Sequence, residues 1–307
     1  MMARDFPSVP CATVVTSITK ADRMENIFKT FLPEYVFHAA AYKHVPMMED
    51  NPCESIQNNV LGTKILADLS VKYGVRRFVM VSTDKAVNPT NVMGCSKRIC
   101  EVYVQSLNKA ERDGVVKGQT QFITTRFGNV LGSNGSVIPI FERQIKAGGP
   151  VTVTDPNIIR YFMLIPEACE LVLEACELVL EAGTKGEGGE IFVFDMGKPV
   201  RIADLARRMI ELSGAKGVEI KYTGLRDGEK LYEEVLSESE ATKPSFHEKI
   251  RIACVREYDW SDVSREIDAL IAQSHTYDDM AVVASMKRLV PEYISNHSKY
   301  TVLDHKA

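Results

Sequence analysis

The sequence predicts an α/β protein, a doubly wound parallel sheet with a smaller α/β part carried by its C-terminal half. Short runs rich in β-branched and aromatic residues, Glu34-Tyr-Val-Phe-His38, Arg77-Phe-Val-Met-Val81, Gln121-Phe-Ile-Thr-Thr-Arg126 and Glu190-Ile-Phe-Val-Phe194, read as strands buried on both faces. Helix-length stretches, such as Ser55 to Tyr73 and Val92 to about Lys109, separate them. The run at 77–81 ends in Ser82-Thr-Asp-Lys85, four side chains that bond sugars or carry protons. In an open parallel sheet, ligands sit at the carboxyl ends of the strands.

Composition narrows the classes. A chain of 307 residues holds one large domain or two ordinary ones, and the pattern divides it into a sheet-building part, 1–147, and an interleaved part, 148–307. With 45% hydrophobic and 25% charged residues it reads as globular. A net charge of −4 argues against a nucleic-acid partner. No run of roughly 18 apolar residues spans a membrane, and the start lacks the pattern of a secretory leader. Seven scattered cysteines without a Cys-x-x-Cys pair predict free thiols in a reducing, cytoplasmic setting and no metal site.

Along the chain, Met1 to Pro10 reads as a loop and Ala12 to Ile18 as a strand, with Thr19 capping a helix from Lys20 to Thr30. A nicotinamide-binding fold needs a Gly-x-Gly-x-x-Gly turn in its first strand–helix unit, where backbone amides hold a pyrophosphate. That motif is not found near the start, so the sheet is expected to lack its first strand–helix–strand unit. The small residues Ala39, Ala40 and Ala41 end the next strand and allow close backbone approach to a ligand; Lys43 and His44 follow. A lone histidine is more often structural, and His44 is weighed that way. Asn88-Pro-Thr is a turn, and Met93-Gly-Cys-Ser-Lys97 opens the next helix, with Met93 and Lys97 four apart on one face. Phe127-Gly-Asn129 to Ser136 is a Gly-rich loop suited to wrapping a phosphate, or else a plain connection. Val151 to Thr154 and Val218 to Tyr222 are short strands, the stretch after Ile202 is a helix to about Ser213, and Lys249 to Ala253 is a further strand. Two helices, near 261–273 and 278–289, close the chain. Cys169 to Ala175 repeats letter for letter as residues 176–182; a seven-residue insertion keeps the apolar stripe on one helix face.

Ser82-Thr-Asp-Lys85 followed by Met93-x-x-x-Lys97 resembles the active site of the extended short-chain dehydrogenases/reductases, where a Ser/Thr follows a central strand and Tyr-x-x-x-Lys opens the next helix. Here Met93 stands at the tyrosine position and can neither ionise nor donate a proton. With Thr83-Asp84-Lys85, Arg160-Tyr-Phe-Met and Gly224-Leu-Arg-Asp-Gly-Glu-Lys230, the sequence is similar to the polysaccharide-biosynthesis (CapD-like) nucleotide-sugar 4,6-dehydratases, the UDP-N-acetylglucosamine 4,6-dehydratases in particular, in an N-terminally truncated form.

The resemblance implies a Rossmann-like sheet, NAD or NADP as cofactor, a UDP-sugar substrate and a possible homodimer through the helices beside the site. It implies that Ala39, Ala40, Ala41, Asn59, Ser82 and Lys97 lie beside the cofactor, with Asn59 a brace. It places Lys43, Asn129, Arg160 and Arg226 on the substrate, the arginines gripping the diphosphate, and Glu229 on the ribose or as a brace. Asp84 would protonate the departing 6-hydroxyl and Lys85 remove the 5-proton, its pKa lowered by burial and by Lys97; Thr83 would hold the 4-hydroxyl. Asp84 or a water would accept the 4-hydroxyl proton. A sugar epimerase and an inactive or sugar-nucleotide-binding remnant are the competing readings.

Overall fold

The computed structural model describes residues 2–181, 188–234, 236, 242–245, 247–253 and 257–304. Among them, a six-stranded sheet consists of β1 (Tyr35–His38), β2 (Arg77–Val81), β3 (Gln121–Arg126), β4 (Ile191–Phe194), β5 (Thr242–Pro244) and β6 (Ile250–Ala253), in the order β1-β2-β3-β4-β6-β5. The first four strands are parallel, and β6 and β5 add on in antiparallel fashion. The helices that pack on it are α1 (Ala21–Phe31), α2 (Gly62–Lys72), α3 (Val92–Arg112), α4 (Ile165–Glu181), α5 (Trp260–Ser274) and α6 (Asp279–Leu289).

Alternation along the strands separates two cores. Phe78, Met80 and Phe122 point to one face, against Leu66 of α2, Ile99 and Tyr103 of α3, and Ile267 of α5. Val79, Ile123, Phe192 and Phe194 point to the other, against Ala168, Leu171 and Ala175 of α4. Helices on both faces make the sheet doubly wound, as the unbroken apolar strands required. A third core, with Phe141, Val151, Val153 and Ile202, joins the helices Val137–Lys146 and Ile202–Ser213 to a parallel pair, Val151–Val153 with Ile220–Tyr222.

Several sequence expectations are corrected. Residues 12–18 form no strand, because β1 ladders only with β2 and nothing in 12–18 meets its other edge; Val15 is 94% exposed. A strand without a partner leaves its amides to water. Thr19 does not cap α1: its hydroxyl bonds that of Ser17 at 2.8 Å, and Lys20 holds the cap position. The expected start is a loop apart from one short turn of helix, Met2–Asp5. The helix expected over 55–73 is interrupted by a π-helical turn, Ile56–Leu61. The repeat lies within α4 as far as Glu181, whereas residue 182, the following Gly183 loop and Cys254 fall outside the described residues. No helix among the described residues is long and apolar enough to cross a membrane. α5 and α6 pack over α3, which is buried along almost its whole length.

One buried carboxylate fixes the centre of the sheet. Glu101, on α3, is fully buried and accepts from Arg126 at 2.8 and 2.7 Å, from Arg98 at 3.0 Å and from the Ser82 hydroxyl at 2.7 Å. It thereby ties the ends of β2 and β3 to α3. Burial alone would raise its pKa, but Arg126 and Arg98 outweigh that and hold it down at about 2. Breaking one side of a buried ion pair costs about 3–5 kcal/mol. Glu101→Gln is expected to lose that much in urea unfolding at neutral pH. Since the folded pKa lies below the unfolded 4.5, the wild-type stabilisation should be complete above that pH and fade as pH falls toward 2. The Gln variant should lack that part of the slope.

Candidate active site

The carboxyl ends of β1, β2 and β3 open onto a cavity of about 480 Å³. Its floor is the turn after β2. Thr83 caps a 3-10 turn, Asp84–Ala86, and its hydroxyl donates to Asp84 Oδ1 at 2.8 Å. Lys85 Nζ donates to the same oxygen at 3.0 Å and lies 3.5 Å from Asn129 Oδ1. Thr83 and Lys85 line the cavity, whereas Asp84 is wholly buried behind them, with Oδ2 unpartnered among the described residues. Asp84 therefore meets the cavity through its two neighbours.

The first turn of α3 forms one wall. Asn91 caps it by accepting from the Gly94 amide at 2.7 Å. A Cβ on Gly94 would collide with the Lys85 carbonyl oxygen, so the glycine lets the helix abut the turn after β2. Met93 and Lys97 both face the cavity, as their spacing predicted. Lys97 is 5% exposed, and no hydrogen bond or ion pair to it exists among the described residues. Burial lowers its pKa, with Cys100 and Glu101 opposing.

Lys85 corrects an expectation. Burial pushes its pKa down, but the Asp84 and Glu233 carboxylates push harder, and the net shift is upward. In this state Lys85 is an ammonium ion, held so by its carboxylate neighbours, and the cation that opposes them most is Arg160.

The other predicted residues divide. Ala39 and Ala41 line the cavity and Ala40 does not. Ser82 reaches the wall, but its hydroxyl donates inward to Glu101. Asn59, 1% exposed and outside the cavity lining, accepts from the Tyr42 amide at 2.7 Å and donates to the Tyr42 carbonyl and the Ser96 hydroxyl. It braces the β1 turn and touches no cavity. Lys43 and Arg226 are exposed on the rim, with no bonded side-chain partner among the described residues. Arg160 lines the cavity, but its guanidinium donates to the carbonyls of Ile159, Lys230 and Leu231 at 2.8, 2.7 and 3.1 Å. It holds the 226–233 segment in place. Glu229 accepts from the Arg226 amide at 3.1 Å, a brace within the same loop. His44 closes the rim by lying over Gly135, where a Cβ would strike its ring.

Sequence reasoning missed two groups. Glu101 continues the stripe Met93–Lys97 by one more step of four and was legible there. Glu233 lines the cavity, buried, with Oε1 3.8 Å from Lys85 Nζ and 3.7 Å from Arg160. Nothing in Tyr232-Glu-Glu234 distinguishes it from a solvated charge. The loop that carries it is anchored by the C-terminal tail: Asn296 donates to the Glu229 carbonyl at 2.8 Å and accepts from the Gly228 amide at 2.6 Å.

The sheet, the cavity at its carboxyl ends and the Met93/Lys97 helix define the extended short-chain dehydrogenase/reductase architecture. A family profile described as polysaccharide biosynthesis protein matches residues 4–255, and the chain belongs to that family. It is 50% identical over 260 residues to the capsular polysaccharide biosynthesis protein CapD of Staphylococcus aureus, covering 84% of this chain and 41% of that protein. It is 40% identical over 210 residues to a UDP-glucose 4-epimerase of Rickettsia canadensis, covering 68% of this chain and 58% of the relative. Thus the chain spans about two fifths of CapD. Among solved structures, Pen from Bacillus thuringiensis superposes with a TM-score of 0.71 at 32% identity, over 82% of this chain and 76% of that one. The dTDP-glucose 4,6-dehydratase DesIV from Streptomyces venezuelae, with NAD and TYD bound, shares the fold at a TM-score of 0.62 and 22% identity, over 76% of this chain and 73% of its own.

Alanine in a helix is normally about 1 kcal/mol better than glycine. Gly94→Ala is expected to reverse that sign and destabilise by about 1–3 kcal/mol, since the Lys85 carbonyl must move. Thermal unfolding reads the sign directly.

Proposed function

We propose that this chain removes water from a UDP-N-acetylhexosamine, with UDP-N-acetylglucosamine the expected substrate, to give the 4-keto-6-deoxy sugar. The observation that carries this reading is the Thr83–Asp84–Lys85 cluster, in which the Thr83 hydroxyl and the Lys85 ammonium lie 2.8 and 3.0 Å from one oxygen, Asp84 Oδ1, beside a methionine where a tyrosine acid is expected. An epimerase needs one group to take a proton and return it. A dehydratase needs an acid and a base at neighbouring carbons, and a carboxylate beside an amine supplies both.

NAD or NADP is the cofactor this reading requires; when bound, it supplies reversible removal of hydride from the sugar. The chain's residues fit its nicotinamide-ribose end: Lys97 offers unpartnered donors beside the small side chains of Ala39 and Ala41. Arg226 and Lys43, free on the rim, suit the substrate diphosphate, and Asn129 stands beside Lys85.

Thr83 is the point of proton exchange. As the 4-carbon becomes a ketone, Thr83 accepts the 4-hydroxyl proton and passes its own to Asp84. The same path, reversed, delivers that proton to the departing 6-hydroxyl. Lys85 Nζ, on the cavity wall, takes the proton from the 5-carbon and later returns one to it. The 4-hydroxyl proton leaves in the water, and the side chains end as they began.

Incubation with UDP-N-acetylglucosamine and NAD in deuterated water is expected to yield a 4-keto-6-deoxy product labelled at the 5-carbon. Asp84→Asn and Lys85→Ala should each slow it about 10²–10⁴-fold. A 4-epimer that keeps its 6-hydroxyl and gains no label would establish the epimerase reading, and no product with bound sugar nucleotide would leave a binding remnant.

A further inference from the structure

One step of that reaction is not balanced by Thr83, Asp84 and Lys85 alone. Once Asp84 holds the 4-hydroxyl proton it is a neutral acid, yet Lys85 is still an ammonium ion and has no lone pair for the 5-proton. Its proton needs a place to stay for the length of the elimination.

We infer that Glu233 is that place: a positioning residue acting through Lys85, whose carboxylate takes the Lys85 proton before elimination and gives it back afterwards. The geometry is specific. Glu233 Oε1 lies 3.8 Å from Lys85 Nζ, and Oε2 is buried with no hydrogen-bond partner among the described residues. Lys85 faces two carboxylates from two different segments: Asp84 from its own turn and Glu233 from the 226–233 loop. Arg160, 3.7 Å from Glu233, and the Asn129 amide complete the ring around them. Lys230 is the remaining cation nearby, its ammonium donating to the Val87 carbonyl at 3.0 Å. Asp84, already protonated at this stage, cannot receive a second proton, which leaves Glu233 as the acceptor within reach.

The proton count closes. Lys85 ammonium passes a proton to Glu233 and becomes a free amine. The amine takes the 5-proton while Asp84, through Thr83, protonates the leaving hydroxyl, and water departs. Lys85 then protonates the 5-carbon as the 6-carbon is reduced, and Glu233 returns its proton to the amine. No proton is exchanged with bulk solvent except through Lys85 itself.

This inference rests on the dehydratase reading, and the experiment separates the two. The wild-type kcat with UDP-N-acetylglucosamine and NAD should be nearly flat from about pH 7 to 9, because the proton moves between internal groups. In Glu233→Gln, Lys85 must discharge to solvent. Its kcat should fall roughly 10²-fold at pH 7 and rise up to about tenfold per pH unit, with KM changed little. Glu233→Asp should recover part of the rate and flatten the profile. Nuclear magnetic resonance of ¹³Cε-labelled lysine, with the Lys85 signal identified by its loss in Lys85→Arg, should show a lower titration midpoint in Glu233→Gln. An active wild type with an unchanged Glu233→Gln rate overturns this inference alone. So does a folded Glu233→Gln whose slower rate keeps the wild-type pH profile and Lys85 midpoint, which is a structural defect. A wild type that dehydrates nothing overturns the function and this inference with it.

Discussion

The arrangement depends first on Glu101. A carboxylate at the middle of α3, with no access to water, is tolerable only because two guanidinium groups and a hydroxyl satisfy its oxygens. Those partners come from three places: Arg98 on the same helix, Arg126 at the end of β3 and Ser82 at the end of β2. The bonds therefore set how far β2 runs before the chain turns. The turn that follows carries Thr83, Asp84 and Lys85. A hydrophobic core would hold the strands at similar spacing, but it would not fix the strand end against one helical residue, because apolar contact is not directional.

A second constraint acts from the far end of the chain. The loop of Arg226, Glu229 and Glu233 has no helix or strand of its own to stiffen it. It is held instead by Arg160, whose guanidinium caps three backbone carbonyls, and by the tail at 294–296, which bonds both this loop and the turn at 89–91. Thr90 and Asn91 close the triangle by donating to the Gly228 carbonyl. Residues nearly 140 apart are thereby placed on one cavity wall, and α5 and α6, which cover α3, also deliver the tail to its place.

The parts of this that were legible in the sequence are the parts set by local pattern. Buried parallel strands announce themselves as unbroken apolar runs, and β2 and β3 fell where those runs fell. Met93 and Lys97 face one cavity because a helix repeats nearly every four residues. Arg160 shows where that reasoning stops. Its neighbourhood marked it as a site residue, and it lines the cavity, but two of its three carbonyl partners are about 70 residues away, and no spacing rule announces that a guanidinium will bond backbone. Residues 12–18 failed for a related reason. Their β-branched composition is a strand's, but a strand is a property of two segments, and no described strand pairs with this one. Glu233 was invisible because burial of a carboxylate is decided by what folds over it.

Replacing a tyrosine by Met93 changes the problem the site has to solve. A tyrosine beside Lys97 would handle the 4-hydroxyl proton at the same end of the cavity as the cofactor ribose. Methionine contributes no proton-carrying group, so on the proposed reaction the proton traffic falls to the cluster of Thr83, Asp84, Lys85 and Glu233. Two carboxylates sit there, each with one buried oxygen that no described residue satisfies. Such an oxygen costs about 1–3 kcal/mol, and a fold selected for stability alone would have turned it toward a donor or replaced it. Lys85 stands between the two carboxylates, with Arg160 behind Glu233 and Lys230 nearby. On the proposed reaction one further proton enters this cluster, from the 4-hydroxyl, and the unsatisfied oxygens are where it can rest.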